Sequence, residues 1–130
     1  MINHVMIGTN DIDKSRKFYN AVLGVLGAGE PMEHTNDTGQ TRLFYIHDGG
    51  TFAVSEPING KPAECANGFT IGFKCKNLDQ VKELHDVAVA NGGTSIEDPP
   101  GPRSGSMGTM NLSYFTDPDG HKICGIQMGA

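Results

Sequence analysis

Thiols are among the side chains of this sequence that could do chemistry. Cys65, Cys75 and Cys124 are its three cysteines, and no two of them have the C-x-x-C spacing of a redox or zinc motif. An odd number of widely spaced cysteines predicts reduced thiols in a cytoplasmic protein, without a disulfide framework. Cys124 could act as a soft metal ligand or a nucleophile. We favour the alternative, a small apolar residue that fills a strand, because free cysteines often do so.

Arg103 is the second candidate, in a segment rich in proline and glycine that covers residues 98–108. This composition predicts an irregular loop, and such loops often form lids over pockets. A guanidinium group in a lid could bind a carboxylate or phosphate group of a substrate. The alternative is a solvated charge on a surface connection.

Two similar blocks of secondary structure must position these residues. Each is predicted as a strand, a helix and three more strands. The first block comprises residues 2–8, 12–23, 28–33, 41–47 and 51–55. The second comprises residues 69–75, 78–90, 94–97, 111–116 and 122–128. Gly24 is expected to cap the first helix, and Asp117-Pro118-Asp119-Gly120 is a turn motif between the last two strands.

The two blocks indicate an internal repeat. The helix starts are 66 residues apart (78 minus 12), and the last turns are 70 apart (120 minus 50). Because a block of about 60 residues would be marginally stable alone, we expect a single domain over 1–130 with repeats at about 1–58 and 67–130. The fold class is therefore α+β, with tandem βαβββ modules that form curved mixed sheets, each with a helix on its convex face.

Composition and charge exclude several classes of partner. The formal net charge is -5 and the ten basic residues are scattered, which argues against nucleic acid and anionic membrane surfaces. The first four residues lack the features of a signal peptide, and no apolar run reaches the roughly 18 residues of a membrane span. We therefore expect neither nucleic acid nor a membrane as partner.

Several of these motifs carry a family resemblance. Residues 4–12 (HVMIGTNDI), the pairs Phe18-Tyr19 and Leu23-Gly24, and the turn at residues 117–120 resemble the glyoxalase, bleomycin-resistance and extradiol-dioxygenase superfamily, which has the vicinal oxygen chelate fold. The resemblance spans almost the whole chain and implies a homodimer. It does not imply one function, because the fold hosts isomerases, lyases, dioxygenases, thiol transferases and drug-binding proteins.

The resemblance also implies positions for a divalent metal, in the first and last strands of each repeat. Carried over one at a time, they fall on His4, Thr70, Val54 and Cys124. Of these, only His4 is a usual ligand, and a catalytic zinc typically needs three. We therefore expect a degenerate metal centre and no firm cofactor. The expected ligand pocket is lined by these four residues and by Met6 and Arg103.

The preferred hypothesis is a small-molecule-binding protein with a pocket on the concave sheet faces. The alternative is a metal-dependent glyoxalase-like lyase or isomerase that acts on a small carbonyl or thiol adduct, with His4 and Cys124 as surviving ligands. A third hypothesis, from a different class, is an interaction module without small-molecule chemistry. Nothing in the sequence favours this third hypothesis.

Overall fold

The computed structural model describes residues 1–129, which form two compact units, one of Met1–Glu64 and one that begins at Cys65. The boundary lies between the two predicted repeats, after about residue 58 and before about residue 67. The elements of the described residues are β1 (Val5–Gly8), α1 (Ile12–Val25), β2 (Met32–Thr35), β3 (Thr41–His47), β4 (Gly50–Ser55), β5 (Ile71–Lys74), α2 (Leu78–Ala90), β6 (Thr94–Ser95), β7 (Gly101–Gly105), β8 (Gly108–Thr116) and β9 (Lys122–Met128). The predicted α+β fold is confirmed.

The two units share one strand order. In the first, the order is β1-β4-β3-β2, and in the second it is β5-β9-β8-β6, with β7 also paired to β8. The first strand of each unit runs parallel to the last, and the remaining pairs are antiparallel. The internal repeat is thus visible in the topology. Neither helix in residues 1–129 has the length and apolar character that a membrane crossing requires.

The core of the first unit lies between α1 and one face of its sheet. Tyr19 is fully buried, and its ring packs against Phe52 and Tyr45 at centroid distances of 4.8 and 6.4 Å. The Tyr45 hydroxyl donates a hydrogen bond of 2.7 Å to the Asn20 amide oxygen in the same helix. Because side chains alternate along a strand, these contacts identify which residues of β3 and β4 face α1.

The end of α1 corrects the prediction for Gly24. The helix continues to Val25, and the left-handed residue beyond it is Gly27, at φ 97°. The Gly27 amide donates to the Gly24 carbonyl, and the Ala28 amide donates to the Leu23 carbonyl, both at 3.0 Å. This pair of bonds is a Schellman motif, so Gly24 belongs to the last helical turn and Gly27 ends the helix.

In the second unit, α2 approaches the sheet closely over Gly125. A β-carbon at this position would lie 2.9 Å from the Leu84 Cδ2 and 3.1 Å from the Ser113 Oγ. The Ser113 hydroxyl in turn donates a hydrogen bond of 3.1 Å to the Val81 carbonyl of α2. Glycine therefore fits this position because the helix occupies the space of a side chain.

The predicted loop at residues 98–108 is wrong in part. Residues 101–105 form β7, which pairs with β8, and β8 begins at Gly108. Proline is tolerated because β7 is an edge strand, which within residues 1–129 pairs with β8 and no other strand. The strand predicted at 28–33 also lies later, at Met32–Thr35, where it pairs with β3.

Candidate functional site

His4 and Met6 lie at the start of the first unit. His4 precedes β1 and is exposed, and its Nδ1 is 2.8 Å from the side-chain nitrogen of Asn3. Met6 lies in β1 opposite Ala53 of β4, on the sheet face away from α1. Met6 is 39% exposed, so its side chain is available for contact on that face.

The position assigned to Val54 is wrong by one residue. Val54 is fully buried and lies opposite Ile7 and Leu43, which are also buried. It shares the α1 side of the sheet with Phe52, two residues earlier, so it cannot line a pocket on the opposite face. Ala53 takes the place that was expected for Val54.

Cys124 lies on the sheet face away from α2. Its neighbour in β9, Gly125, faces Leu84 of that helix, so Cys124 points to the opposite face. Cys124 lies opposite Gly72 of β5, as Ala53 lies opposite Met6 of β1. The first strands are therefore offset by 66 residues (72 minus 6) and the last by 71 (124 minus 53).

The surroundings of Cys124 favour its neutral thiol. The side chain is buried, and this burial raises the pKa of the thiol. The positive charge of Lys122 lowers that pKa and the negative charge of Glu97 raises it, both by smaller amounts than burial. Lys122 itself forms an ion pair with Glu97, and its Nζ lies 4.8 Å from the centre of the Tyr114 ring. A neutral thiol is a poor nucleophile and a poor metal ligand.

The remaining two candidates, Thr70 and Arg103, lie in the second unit. Thr70 is exposed and directly precedes β5. The Arg103 guanidinium donates three hydrogen bonds to carbonyls of its own segment, at 3.1 Å to Gly101, 3.1 Å to Asp98 and 3.0 Å to Pro99. Arg103 therefore holds the start of the β7–β8 hairpin. In this arrangement three of the five guanidinium N–H groups are engaged by backbone carbonyls of residues 98–101.

The donor chemistry at the expected metal positions does not fit a metal centre of the family type. With the register corrected, the four positions hold His4, Ala53, Thr70 and Cys124, of which only His4 is a usual ligand. Among residues 1–129, no three His, Cys, Asp or Glu side chains come together in a group that could hold an ion. A stable site usually needs at least three such donors.

The structure also contains a cavity that the sequence did not predict. It has a volume of about 310 Å³ and lies in the first unit, where Thr9–Asn10, Gly39–Gln40 and residues 56–62 meet. Glu56 and Lys61 are its charged lining residues. The proline and glycine content of residues 56–62 signals only a turn, so sequence patterns gave no indication of a binding surface.

Comparisons with known proteins agree with this architecture. The model of the Glyoxalase/Bleomycin resistance protein/Dioxygenase superfamily matches residues 1–124. A probable lactoylglutathione lyase from Vibrio cholerae serotype O1 is 31% identical over 97% of this chain and 89% of its own length. The lactoylglutathione lyase of Haemophilus influenzae is 29% identical over 94% of this chain and 88% of its own.

Among solved structures, a glyoxalase/bleomycin resistance protein from Albidiferax ferrireducens superposes with a TM-score of 0.88. It is 46% identical, and the match covers 97% of this chain and 98% of that one. The fold and the sequence of this chain therefore agree with those of the family over nearly the full length of the chain. The chain belongs to the Glyoxalase/Bleomycin resistance protein/Dioxygenase superfamily.

Proposed function

We propose that this chain binds a small organic molecule on the sheet faces opposite its helices, and that the metal centre of its family is degenerate in it. The observation that carries the proposal is the donor set at the family's metal positions. Ala53 has no lone pair to offer, and Thr70 offers only a neutral hydroxyl. Cys124 would have to lose a proton to bind a metal, which its burial opposes.

The side chains on these faces support ligand binding by apolar contact. In the second unit, Cys124 lies opposite Gly72, and its Sγ and a methyl group of Ile126 cover the position where a β-carbon of residue 72 would lie, at 3.2 and 3.4 Å. In the first unit, Met6 and the partly buried Phe44 lie on either side of Ala53, on the same face. Apolar surfaces with few polar groups are typical of small-molecule sites.

A second candidate function is a metal-dependent glyoxalase-like lyase or isomerase acting on a small carbonyl or thiol adduct. Its support is the relatives named lactoylglutathione lyase, which match nearly the whole chain at about 30% identity. His4 is retained at one of the expected ligand positions. The two candidates differ in one measurable property, which is tight and stoichiometric metal binding.

The deciding experiment is metal analysis by mass spectrometry after incubation with zinc, nickel, manganese or ferrous iron and removal of free ion. Wild type is compared with His4→Ala, Cys124→Ser and the control His47→Ala, which removes another exposed histidine of the first unit. We expect clearly substoichiometric metal in every sample. About one ion per chain that is lost in His4→Ala and kept in His47→Ala would contradict the proposal.

Activity provides an independent test of the second candidate. Methylglyoxal with glutathione is offered to the protein with each of the four metals in turn. We expect no turnover above the rate of a sample without protein. Metal-dependent turnover that His4→Ala abolishes and His47→Ala retains would establish the lyase function and overturn the binding proposal.

A further inference from the structure

The cavity of the first unit is preformed by hydrogen bonds that fix its walls. The Asn10 side chain accepts a bond of 2.7 Å from the Ala63 amide and donates one of 3.2 Å to the Ala63 carbonyl. The Gly60 amide donates to the Pro57 carbonyl at 3.0 Å, which closes a turn inside the same segment. Residues 56–63 are therefore fixed to the segment that follows β1 in the same unit, so ordering them on ligand binding would cost little.

Glu56 is oriented at this cavity by two contacts with one residue. Its amide donates to the Thr41 carbonyl at 3.0 Å, and its Oε1 accepts from the Thr41 amide at 2.8 Å. These bonds fix both the backbone and the carboxylate of Glu56 at the start of β3. One carboxylate oxygen is engaged in this way, while Oε2 has no hydrogen-bond partner among residues 1–129.

Lys61 contributes the opposite charge to the same cavity. Its backbone is fixed by a hydrogen bond of 3.0 Å from its amide to the Asn59 side chain. The described residues form no ion pair between Lys61 and Glu56. A cation and an anion therefore line one cavity of about 310 Å³ without neutralising each other.

We propose that this cavity binds a free α-amino acid as its zwitterion. The ligand ammonium group would donate to Glu56 and its carboxylate would accept from Lys61, with Gln40 among the other lining residues. A ligand of one charge would satisfy only one of the two groups and meet repulsion from the other. The volume lies at the small end of the range for ligand sites and suits one amino acid.

This site is independent of the proposed function, which concerns the faces that carry Met6 and Cys124. It is tested by titration of the isotope-labelled full chain with each free L-amino acid of proteins at up to millimolar concentration, followed by amide chemical shifts in NMR. We expect saturable shifts for at least one amino acid, confined to residues 9–10, 39–41 and 56–63. Shifts confined to other residues, or no shifts with any amino acid, would overturn the proposal.

Two variants and two modified ligands test the roles of the charges. Glu56→Gln keeps an oxygen for the Thr41 amide, and Lys61→Gln changes an exposed side chain, so both should remain folded. We expect each to weaken binding by at least about tenfold, as loss of a charge-assisted hydrogen bond typically does. The controls Glu64→Gln and Lys14→Gln make the same charge changes outside the cavity and should bind as wild type does.

The N-acetyl and carboxamide derivatives of the bound amino acid each lack one charge of the zwitterion. We expect both to bind at least about tenfold more weakly than the parent amino acid. Equal binding of either derivative, or wild-type affinity in either Glu56→Gln or Lys61→Gln, would show that the cavity does not recognise a zwitterion.

Discussion

Gly72 and Cys124 lie side by side on the parallel strands β5 and β9, and a β-carbon at Gly72 would lie 3.2 Å from the Cys124 Sγ. The matching pair in the first unit is Met6 and Ala53. The larger side chain is thus on the first strand in one unit and on the last strand in the other. The two faces consequently offer a ligand different shapes, although their strands are arranged alike.

The three cysteines should differ in reactivity because only Cys65 is exposed. We expect iodoacetamide to label Cys65 of the native protein first, with Cys75 and Cys124 labelled orders of magnitude more slowly, because burial limits access to both of them. The pKa of all three thiols is raised, so exposure and not pKa separates their reactivity. Peptide mass spectrometry over time measures the three rates. Cys65→Ser should remove the fast reaction. Equally fast labelling of Cys124 would mean an activated thiol and would contradict its assignment as a neutral residue.

Alkaline pH should destabilise the second unit through Cys75. Burial raises the pKa of this thiol from 9.0 to about 11, so the folded state holds the proton more tightly than the unfolded state does. The resulting stabilisation is complete below pH 9 and is lost as the pH rises to about 11.

Urea unfolding at a series of pH values from 8 to 11 measures this effect. We expect the contribution of Cys75 to the free energy of unfolding to fall by roughly 1–2 kcal/mol over the series. Cys75→Ala removes the buried sulfur atom and should lower the free energy of unfolding at pH 8. Between pH 8 and pH 11, the free energy of unfolding of this variant should fall less than that of wild type. Identical declines in wild type and Cys75→Ala would refute the assignment.

Gly125→Ala should destabilise the protein because the added methyl group would overlap Leu84 and Ser113. We expect a loss of about 1–3 kcal/mol in the free energy of unfolding, which is typical of an overpacked core. Gly24→Ala is the matched control, since Gly24 is exposed in α1 and a β-carbon there meets no atom within 4 Å. Helix propensity should make this control about 0.5–1 kcal/mol more stable than wild type. Equal effects at the two positions would disprove close packing at Gly125.

We expect a hydrogen bond from His85 to link the two-residue strand β6 to α2 and to stabilise the protein. Its ring is largely buried, with Nε2 at 2.8 Å from the Ser95 hydroxyl oxygen and Nδ1 at 3.0 Å from the Asp86 carboxylate. A double-mutant cycle of His85→Ala and Ser95→Ala should give a coupling of about 0.5–1.5 kcal/mol. Asp86→Asn should cost less than about 0.5 kcal/mol because its side chain is mostly exposed. Additive effects of the first two substitutions would exclude the link.

The elements that follow from local rules were predictable from the sequence. Both helices begin where predicted because Asp11 and Asn77 cap them, accepting hydrogen bonds from the amides of Lys14 and Gln80. The turn after Asp117 also forms. The Asp117 Oδ1 accepts hydrogen bonds from the amides of residues 119 and 121. In these places a short stretch of chain contains both the donor and the acceptor.

The site was less predictable because it depends on register between distant strands. The offset between equivalent residues of the two repeats is 66 in the first strands and 71 in the last strands. An error of one residue in this offset exchanges Ala53 for Val54. Such a slip turns every side chain to the other face. The cavity beside Glu56 was missed because three segments remote in sequence form it. Composition predicts a loop around Arg103 because it does not show that residues 101–105 pair with β8.

The bond pair between Asn10 and Ala63 joins residues that are 53 positions apart, so the chain after β4 is part of the first repeat and not a spacer. A first repeat that ended at residue 58 would lack Ala63, the hydrogen-bond partner of Asn10, and Lys61, which lines the cavity. The natural point of division in this chain lies after Glu64.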